Sequence, residues 1–563
     1  MNVQDSDLLR HLSRSVRASP LQPLQSPLRS AVEAGVNKAP QAIPPQVLAT
    51  VAVALLLRIA VACASNYTAE DFMITLRYAE NFAAGHGLVY NLGERVLGTT
   101  TPLYTLFLAL AAWLHLSPTL CGKAINILAD GGLCLVLYLW LRHEGLEKAG
   151  RIAAFLAAVH PIQIRWAISG METSLVAAAG VWAMYALSRR RYIEVYCALG
   201  TLFLLRWDSV LLAVIVTAAI CFRERRAPFT GLSLFALIVL PWIIVAGRYY
   251  GNPIPITGQA KVHVYGWFAD HLGAKELRVE ATGFGQGLTS LIRYEPTWLL
   301  RRVPRQQKLL NYVIGSVPAF LLALAAVIGF IHAIRARRWQ LMPPALWILV
   351  YFAAFLLSRV LVFEWYLVPP LPVFEVFAAI GLALWADRAS AVLPARTRLP
   401  AAVATLSFAA IVPTAALVPI LRRSQQVEET VRKPIGLWLY TNSLPGDRIL
   451  LEPIGYIGYY SRRSVIDVIG LVSPQVLPYY SAAEVSPWLS QIRDFQPEWC
   501  VLRAAETADI ERTAAARGFD WHGQYKLAHT GAFRSQDSLT PLIFYVYHRV
   551  PPTDLEAQSR GNP

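Results

Sequence analysis

The chain has 563 residues, 55% of them hydrophobic and only 15% charged, against the ~25% charged residues of an average soluble domain. Its formal net charge is +15, but the arginines come in short clusters between apolar runs and no nucleic-acid signature accompanies them, so the charge reads as the cytoplasmic-loop bias of a membrane protein and excludes nucleic acid as the expected partner. Six cysteines without C-x-x-C or Cys/His spacing speak against a zinc site, and Cys500, alone in the C-terminal region, cannot form a disulfide within it.

Residues 1–45 are polar, Pro/Ser-rich and basic (Arg10, Arg14, Arg17, Arg29, Lys38), too long a prelude for a simple signal peptide, and read as a disordered cytoplasmic leader. The first apolar segment, 47–64, therefore sends residues 65–101 to the other side, where an amphipathic helix over 72–84 stops at Gly85-His86-Gly87. Apolar segments follow at 102–116, 123–141, 151–163, 172–188, 193–205, 208–222, 229–248, 311–333, 341–357, 365–386 and 400–421. They give roughly ten to twelve membrane helices, although several are shorter than the ~20 residues of a straight span. Arg189-Arg190-Arg191, Arg223-Glu224-Arg225-Arg226, Arg335-Ala336-Arg337-Arg338 and Arg388 with Arg396 and Arg398 mark cytoplasmic ends. That map places Arg206-Trp207-Asp208 and Arg359 to Glu364 at outer turns, 249–310 in an outer loop and everything after Arg422 outside. With the N-terminus inside, one of the segments 102–116, 123–141 or 151–163 should not cross fully; 102–116 is short and opened by Pro102.

From about residue 424 the pattern changes to strand-like runs at Arg448–Leu451, Val465–Val468, Cys500–Leu502 and Leu542–Tyr547, with helical patterns at 483–494 and 504–517. The expected architecture is mainly α: a polytopic transmembrane bundle over 46–423, with outer loops 65–101 and 249–310, and an extracytoplasmic α/β domain over 424–563.

Glu70-Asp71 stands just past the first segment, with Arg77 six residues beyond Asp71. A carboxylate there can take a proton from a hydroxyl nucleophile, or it can simply cap a helix. Arg206 and Asp208 can bind an anion or pair with each other, and Glu172 can serve the site or start a helix. Lys261 can meet a phosphate or be a solvated loop residue, and Glu364-Trp365-Tyr366 can line a site or anchor at the interface. His86 between glycines reads as a turn residue, and a lone histidine is poor evidence for metal.

The run from Glu70 to Leu106 resembles the first outer loop of bacterial GT-C glycosyltransferases, enzymes that use polyprenyl-phosphate sugars, and among them the actinobacterial terminal arabinofuranosyltransferases. The resemblance is carried by Glu70-Asp71, Arg77-Tyr78, Asn81, Gly85-His86-Gly87, Asn91, Gly93-Glu94-Arg95-Val96, Gly98, Thr100 and Pro102-Leu103. Ser169-Gly170-Met171-Glu172-Thr173, Arg206-Trp207-Asp208 and Tyr249 to Thr257 with Lys261 resemble further segments of that family, as do Pro445-Gly446-Asp447, Gly455 to Tyr459 and Ile466-Asp467 to Gly470-Leu471 in the tail. Glu70 stands where many relatives have Asp, Trp207 where they have Pro, and Thr99 where Tyr is commoner.

The resemblance implies a GT-C bundle in which Asp71 deprotonates an acceptor hydroxyl, with Glu70 tuning or replacing it or helping to hold a divalent metal. The hydroxyl attacks the anomeric carbon with inversion, and lipid phosphate departs. It also implies donor-phosphate or substrate contacts at Arg77, Tyr78, Glu172, Arg206, Asp208, Lys261 and Arg359, and acceptor or loop-shaping roles for His86, Glu94, Arg95, Glu364, Trp365 and Tyr366. The implied partners are a polyprenyl-phosphate sugar donor, an envelope glycan, lipid or protein acceptor, and the lipid bilayer. The implied place is a bacterial inner membrane with the active site on its extracytoplasmic face. A transporter or flippase is the alternative, but it should show broken helices duplicated between halves, and no internal repeat is visible.

Overall fold

The structure, a computed structural model, describes residues 42–271, 305–358, 362–392, 417–481, 485–534 and 541–550. Nearly all of the expected leader, the middle of the 249–310 loop, Arg359 and most of the 400–421 segment lie outside the described residues.

Among the described residues three helices are long and apolar enough to cross a membrane: α1 (Pro45–Ser65), α4 (Pro118–His143) and α10 (Phe229–Tyr250), of 21, 26 and 22 residues. Between α1 and α4 come α2 (Glu70–Ala83) and α3 (Pro102–Trp113). The bundle continues with α5 (Glu147–Val159), α6 (Pro161–Ala167), α7 (Thr173–Ser188), α8 (Tyr192–Leu205) and α9 (Val210–Glu224). After α10 follow α11 (Ile256–His271), α12 (Arg305–Arg335), α13 (Met342–Leu357) and α14 (Leu371–Val392). Prolines open α3, α4 and α6, where their missing N–H costs nothing, and the Ser117 hydroxyl caps α4 by accepting from the Leu120 N–H. The parity conflict meets two short helices. α3 has 12 residues, about 18 Å of rise against a hydrocarbon core of about 30 Å, and α5 has 13 before the chain breaks at His160-Pro161.

A fully buried ion pair lies in the bundle interior. Arg58 on α1 is fully buried and donates through Nε to Asp130 on α4, and through its other nitrogens to the carbonyls of Ala157 (2.9 Å) and Ala158 (2.5 Å) at the end of α5. The guanidinium thus fixes α1, α4 and α5 in one register. An ion is tolerated at such a depth only when paired and hydrogen-bonded.

The tail begins with helical residues 417–427, a π-helical turn at Glu428–Arg432 and α15 (Lys433–Asn442). Strands β1 (Arg448–Leu451), β2 (Ser464–Asp467), β3 (Trp499–Arg503), β4 (Tyr525–Phe533) and β5 (Leu542–Arg549) form one sheet in the order β2-β1-β3-β5-β4. β2, β1 and β3 run parallel; β5 is antiparallel to β3 and β4 to β5. The helices α16 (Tyr456–Ser461), α17 (Pro487–Phe495), α18 (Ala504–Ala516) and α19 (Trp521–Gln524) complete the α/β domain. Alternation along β1 sends Ile449 and Leu451 to one face and Leu450 to the other, each into its own apolar cluster. Four strands match the sequence reading. β4 does not, because it is an exposed edge strand without an apolar alternation to betray it.

Replacing Asp130 by Leu leaves the Arg58 charge buried without its counter-ion, and a loss of about 3–5 kcal/mol is expected. The double variant Arg58→Met/Asp130→Leu should recover most of it. Thermal melting of the three detergent-solubilised proteins checks this; equal losses in the single and double variants would mean that the pair is not coupled.

Candidate active site

Helix α2 carries two sets of side chains. Asp71, Ile74 and Thr75, at helical spacing, face a cavity. Glu70 and Arg77, seven residues apart and so within about 20° of each other around the axis, face the tail. The start of α2 is set by the Ser169 to Glu172 turn. The Ala69 N–H donates to the Ser169 carbonyl at 2.9 Å, and Gly170 adopts φ +90° with Phe72 packed where a Cβ would stand, so only glycine fits there. The same turn places Glu172 at the N-cap of α7.

The cavity measures about 560 Å³. Residues from the first turns or N-caps of α2, α7 and α11, and from the turns that lead into α3 and α9, line it: Asp71, Glu172, Thr257, Thr99 to Thr101, and Trp207-Asp208. Helix N-termini bring positive potential. Val210, Leu211, Ala354 and Phe355 give it an apolar side.

Two cations enter the cavity and share one tyrosine. Lys261 Nζ donates to the Tyr366 hydroxyl at 2.9 Å and sits 5.3 to 5.9 Å from the rings of Phe363, Trp365 and Tyr366. Arg206 lies over the Tyr366 ring at 5.0 Å, holds Asp208 through two hydrogen bonds of 3.2 and 2.9 Å, and approaches Glu172 at 3.6 Å. The turn that supplies these rings, Glu364–Tyr366, is a 3-10 helix.

A second cavity, about 220 Å³, shares Asp71 with the first. It is lined by Tyr67, Glu70, Arg165, Trp166, Phe363 and Glu364 among others. Arg165 and Glu364 form an ion pair of 2.6 Å beside it. The sequence reading does not single out Arg165, which falls between the apolar segments 151–163 and 172–188; its place beside Pro161 and Trp166 is the signal that could have found it.

The structure therefore brings together Asp71, Glu172, Arg206, Asp208, Lys261, Trp365 and Tyr366, with Glu70 and Glu364 on the smaller cavity. It does not bring Arg77 and Tyr78 to either one. Six residues separate Asp71 from Arg77, which turns the guanidinium about 120° away around the helix. Arg77 donates to the Gly458 and Arg463 carbonyls instead, and Tyr78 donates to the Val96 carbonyl at 2.9 Å. His86 is exposed in its glycine turn, Glu94 accepts from Asn91 at 3.0 Å, and Arg95 lies over the Tyr249 ring at 4.8 Å, so these three shape the loop away from the cavities. Glu70 lies beside Asp71 but its Oε1 accepts the Gly455 N–H of the tail; burial and the neighbouring Asp71 push its carboxyl well above the usual range. Among the described residues no three His, Cys, Asp or Glu side chains converge to hold a metal ion. Arg206 already occupies two of the three carboxylates in the larger cavity.

The chain is similar in sequence or in fold to several known proteins. Residues 419–547 match a sequence family described as a domain of unknown function (DUF8728). A terminal beta-(1->2)-arabinofuranosyltransferase of Mycobacterium tuberculosis is 30% identical over 230 residues, covering 35% of this chain and 35% of that protein, so the match takes in about a third of the curated relative's length. The crystal structure of ArnT from Cupriavidus metallidurans bound to undecaprenyl phosphate superposes with a TM-score of 0.52 at 13% identity, over 90% of this chain and 98% of that one. The Archaeoglobus fulgidus oligosaccharyltransferase in complex with zinc and sulfate gives 0.52 at 14% identity, over 90% and 74%. The chain has the GT-C fold, a helical bundle in which three of the described helices are long and apolar enough to cross a membrane, followed by an α/β domain.

The tail reaches the larger cavity through Leu471, which Asp467 holds in place. The buried Asp467 carboxylate accepts the N–H groups of Ile469 (3.0 Å), Leu471 (2.5 Å) and Val472 (3.2 Å). Burial pushes it up to about 7, with Glu452 adding repulsion and the three N–H groups pulling the other way. The folded chain thus holds this proton more tightly than the unfolded one. The stabilisation is full below about pH 4 and is lost as pH rises through about 7. The melting temperature of the wild type should fall from pH 4.5 to 7.5 more than that of Asp467→Asn. Equal slopes would assign the dependence to other groups.

Proposed function

We propose that the chain transfers a sugar from a polyprenyl-phosphate donor to a hydroxyl of an envelope glycan, lipid or protein, at the extracytoplasmic face of a bacterial inner membrane. One observation carries the reading: a single cavity holds a carboxylate, Asp71, together with two cations, Arg206 and Lys261, and an apolar side. The mycobacterial relative named above supports sugar transfer, and the undecaprenyl phosphate bound by ArnT supports a lipid-linked donor.

The donor phosphate lies against Lys261 and Arg206, its prenyl chain along Val210, Leu211, Ala354 and Phe355. The acceptor hydroxyl comes to Asp71 from the smaller cavity. Asp71 takes the hydroxyl proton as the oxygen attacks the anomeric carbon on the face opposite the phosphate. The bond from that carbon to the phosphate oxygen breaks, the configuration inverts, and the charge that gathers on the leaving phosphate falls between two fixed cations. Cations held in place before the reaction need no reorganisation when charge develops, which is why such groups are worth more here than in water.

Purified wild type in lipid nanodiscs, supplied with a panel of polyprenyl-phosphate sugars and membrane glycolipid acceptors, should give product of increased mass. Asp71→Asn should lose about 10²- to 10⁴-fold in rate while still binding donor. Lys261→Met should lose about 10²- to 10³-fold in kcat/KM for the donor. Transfer by Asp71→Asn at the wild-type rate would remove the base assignment, and retention of donor use by Lys261→Met would remove the phosphate site.

A further inference from the structure

We infer that the tail is a positioning part of the active site: by gripping the back of α2, residues 454–472 set the direction in which Asp71 points. The catalytic consequence rests on the glycosyl-transfer reading; the grip itself rests on geometry alone.

The contacts run the length of α2 and into the loop behind it. At its first turn, Glu70 Oε1 accepts the Gly455 N–H. In its middle, Arg77 donates to the Gly458 carbonyl at 2.6 Å and to the Arg463 carbonyl at 2.7 Å, and lies 4.1 Å over the Tyr90 ring. Toward its end, Glu80 accepts the Tyr459 hydroxyl at 2.6 Å. The following loop adds Tyr90, whose hydroxyl donates to the Ile454 carbonyl at 2.7 Å. Asn91 meets the outer edge of β2 with both ends of its amide, donating to the Val465 carbonyl at 2.8 Å and accepting its N–H at 3.0 Å.

Packing says the same. Tyr78, Leu88 and Tyr90 are buried in one apolar cluster with Ile449, Val465 and Phe544, so one face of the tail sheet has its core completed by the first loop. Gly455 leaves no room between the partners, since a Cβ there would stand 2.2 Å from the Glu70 carbonyl oxygen. The grip has its own support: Arg463 donates to the Tyr440 carbonyl at 2.7 Å and to the Ser443 carbonyl at 2.8 Å.

A helix held on one face is free to roll unless the hold is at several points along it. Misplacing a reacting group by about 1 Å can cost about 10²-fold in rate. Glu70, Arg77 and Glu80 supply three points on the face turned away from Asp71, and they are positioning residues. On this account the matched domain of unknown function is needed for the chemistry although it gives the cavity lining little beyond Leu471, in the turn after β2.

The test uses full-length protein in nanodiscs with wild type, Arg77→Met, Arg77→Lys and the milder Glu80→Gln, read by hydrogen exchange and by transfer from the polyprenyl-phosphate sugar. Exchange of the α2 amides should rise about tenfold or more in Arg77→Met, with α4, α7 and the tail sheet unchanged, as expected of a local opening. Its kcat should fall about 10²-fold with the donor KM within about threefold of wild type, and Arg77→Lys, still able to reach one carbonyl, should recover part of the loss. Glu80→Gln should shift both readouts in the same direction by less. Unchanged α2 exchange overturns the inference. So does exchange that rises equally in α4 and the sheet, or an α2 that loosens without loss of kcat. Should wild type use no donor at all, the transfer reading fails, and the exchange arm alone decides whether the tail grips α2.

Discussion

Arg77, buried against Tyr90 and bound to two carbonyls of the tail, is the contact on which the geometry of the site depends. A guanidinium removed from water needs several acceptors in its plane, and the two carbonyls and the aromatic face meet that need without a carboxylate. Because its partners are backbone, the contact ties α2 to the path of the tail chain and not to a mobile side chain. Asp71 is carried on the same helix, about 120° around it. The orientation of one follows from the fixation of the other.

The cations of the larger cavity pose a different problem. Arg206 and Lys261 repel each other, yet the proposed transfer asks both to face the leaving phosphate. Tyr366 separates them, with its hydroxyl toward Lys261 and its ring toward Arg206. Asp208 and Glu172 offset the Arg206 charge from behind. The sequence reading that pairs Arg206 with Asp208 as a structural bridge and the reading that gives Arg206 to an anion are therefore compatible: the carboxylate sets the guanidinium's direction and leaves its charge on the cavity wall.

Much of this was legible in the chain. Apolar runs and arginine clusters gave the order of the helices, and the stretch of Glu70 to Leu106 pointed to the fold. Asp71, Glu172, Arg206, Lys261 and Tyr366 were each visible as polar groups at helix starts, at outer turns or in an outer loop. What sequence could not supply was the direction of each side chain. Arg77 and Asp71 look like one site when written in a line, and only the helical angle separates them. The roles of Asn91, Tyr90 and Glu80 could not be read, because their partners lie about 370 residues further on. Arg165 was hidden between two apolar runs, and β4 in an exposed strand.

The position of the cavity itself follows from helix length. Helices as short as α3 end inside the thickness of the bundle, and a helix end leaves backbone groups without intrahelical partners. Such ends cannot face lipid, so they gather where they can face one another or a polar space. Here the starts of α2, α3, α7, α9 and α11 gather around one cavity, and starts, unlike ends, carry the positive pole of the peptide dipoles. The carboxylates Asp71, Glu172 and Asp208 each sit at such a start, where a negative charge is favoured. The same potential favours a phosphate drawn in beside Lys261. A short helix that looks like a failed span in the sequence thus helps to place the proposed base and the proposed anion site around one cavity.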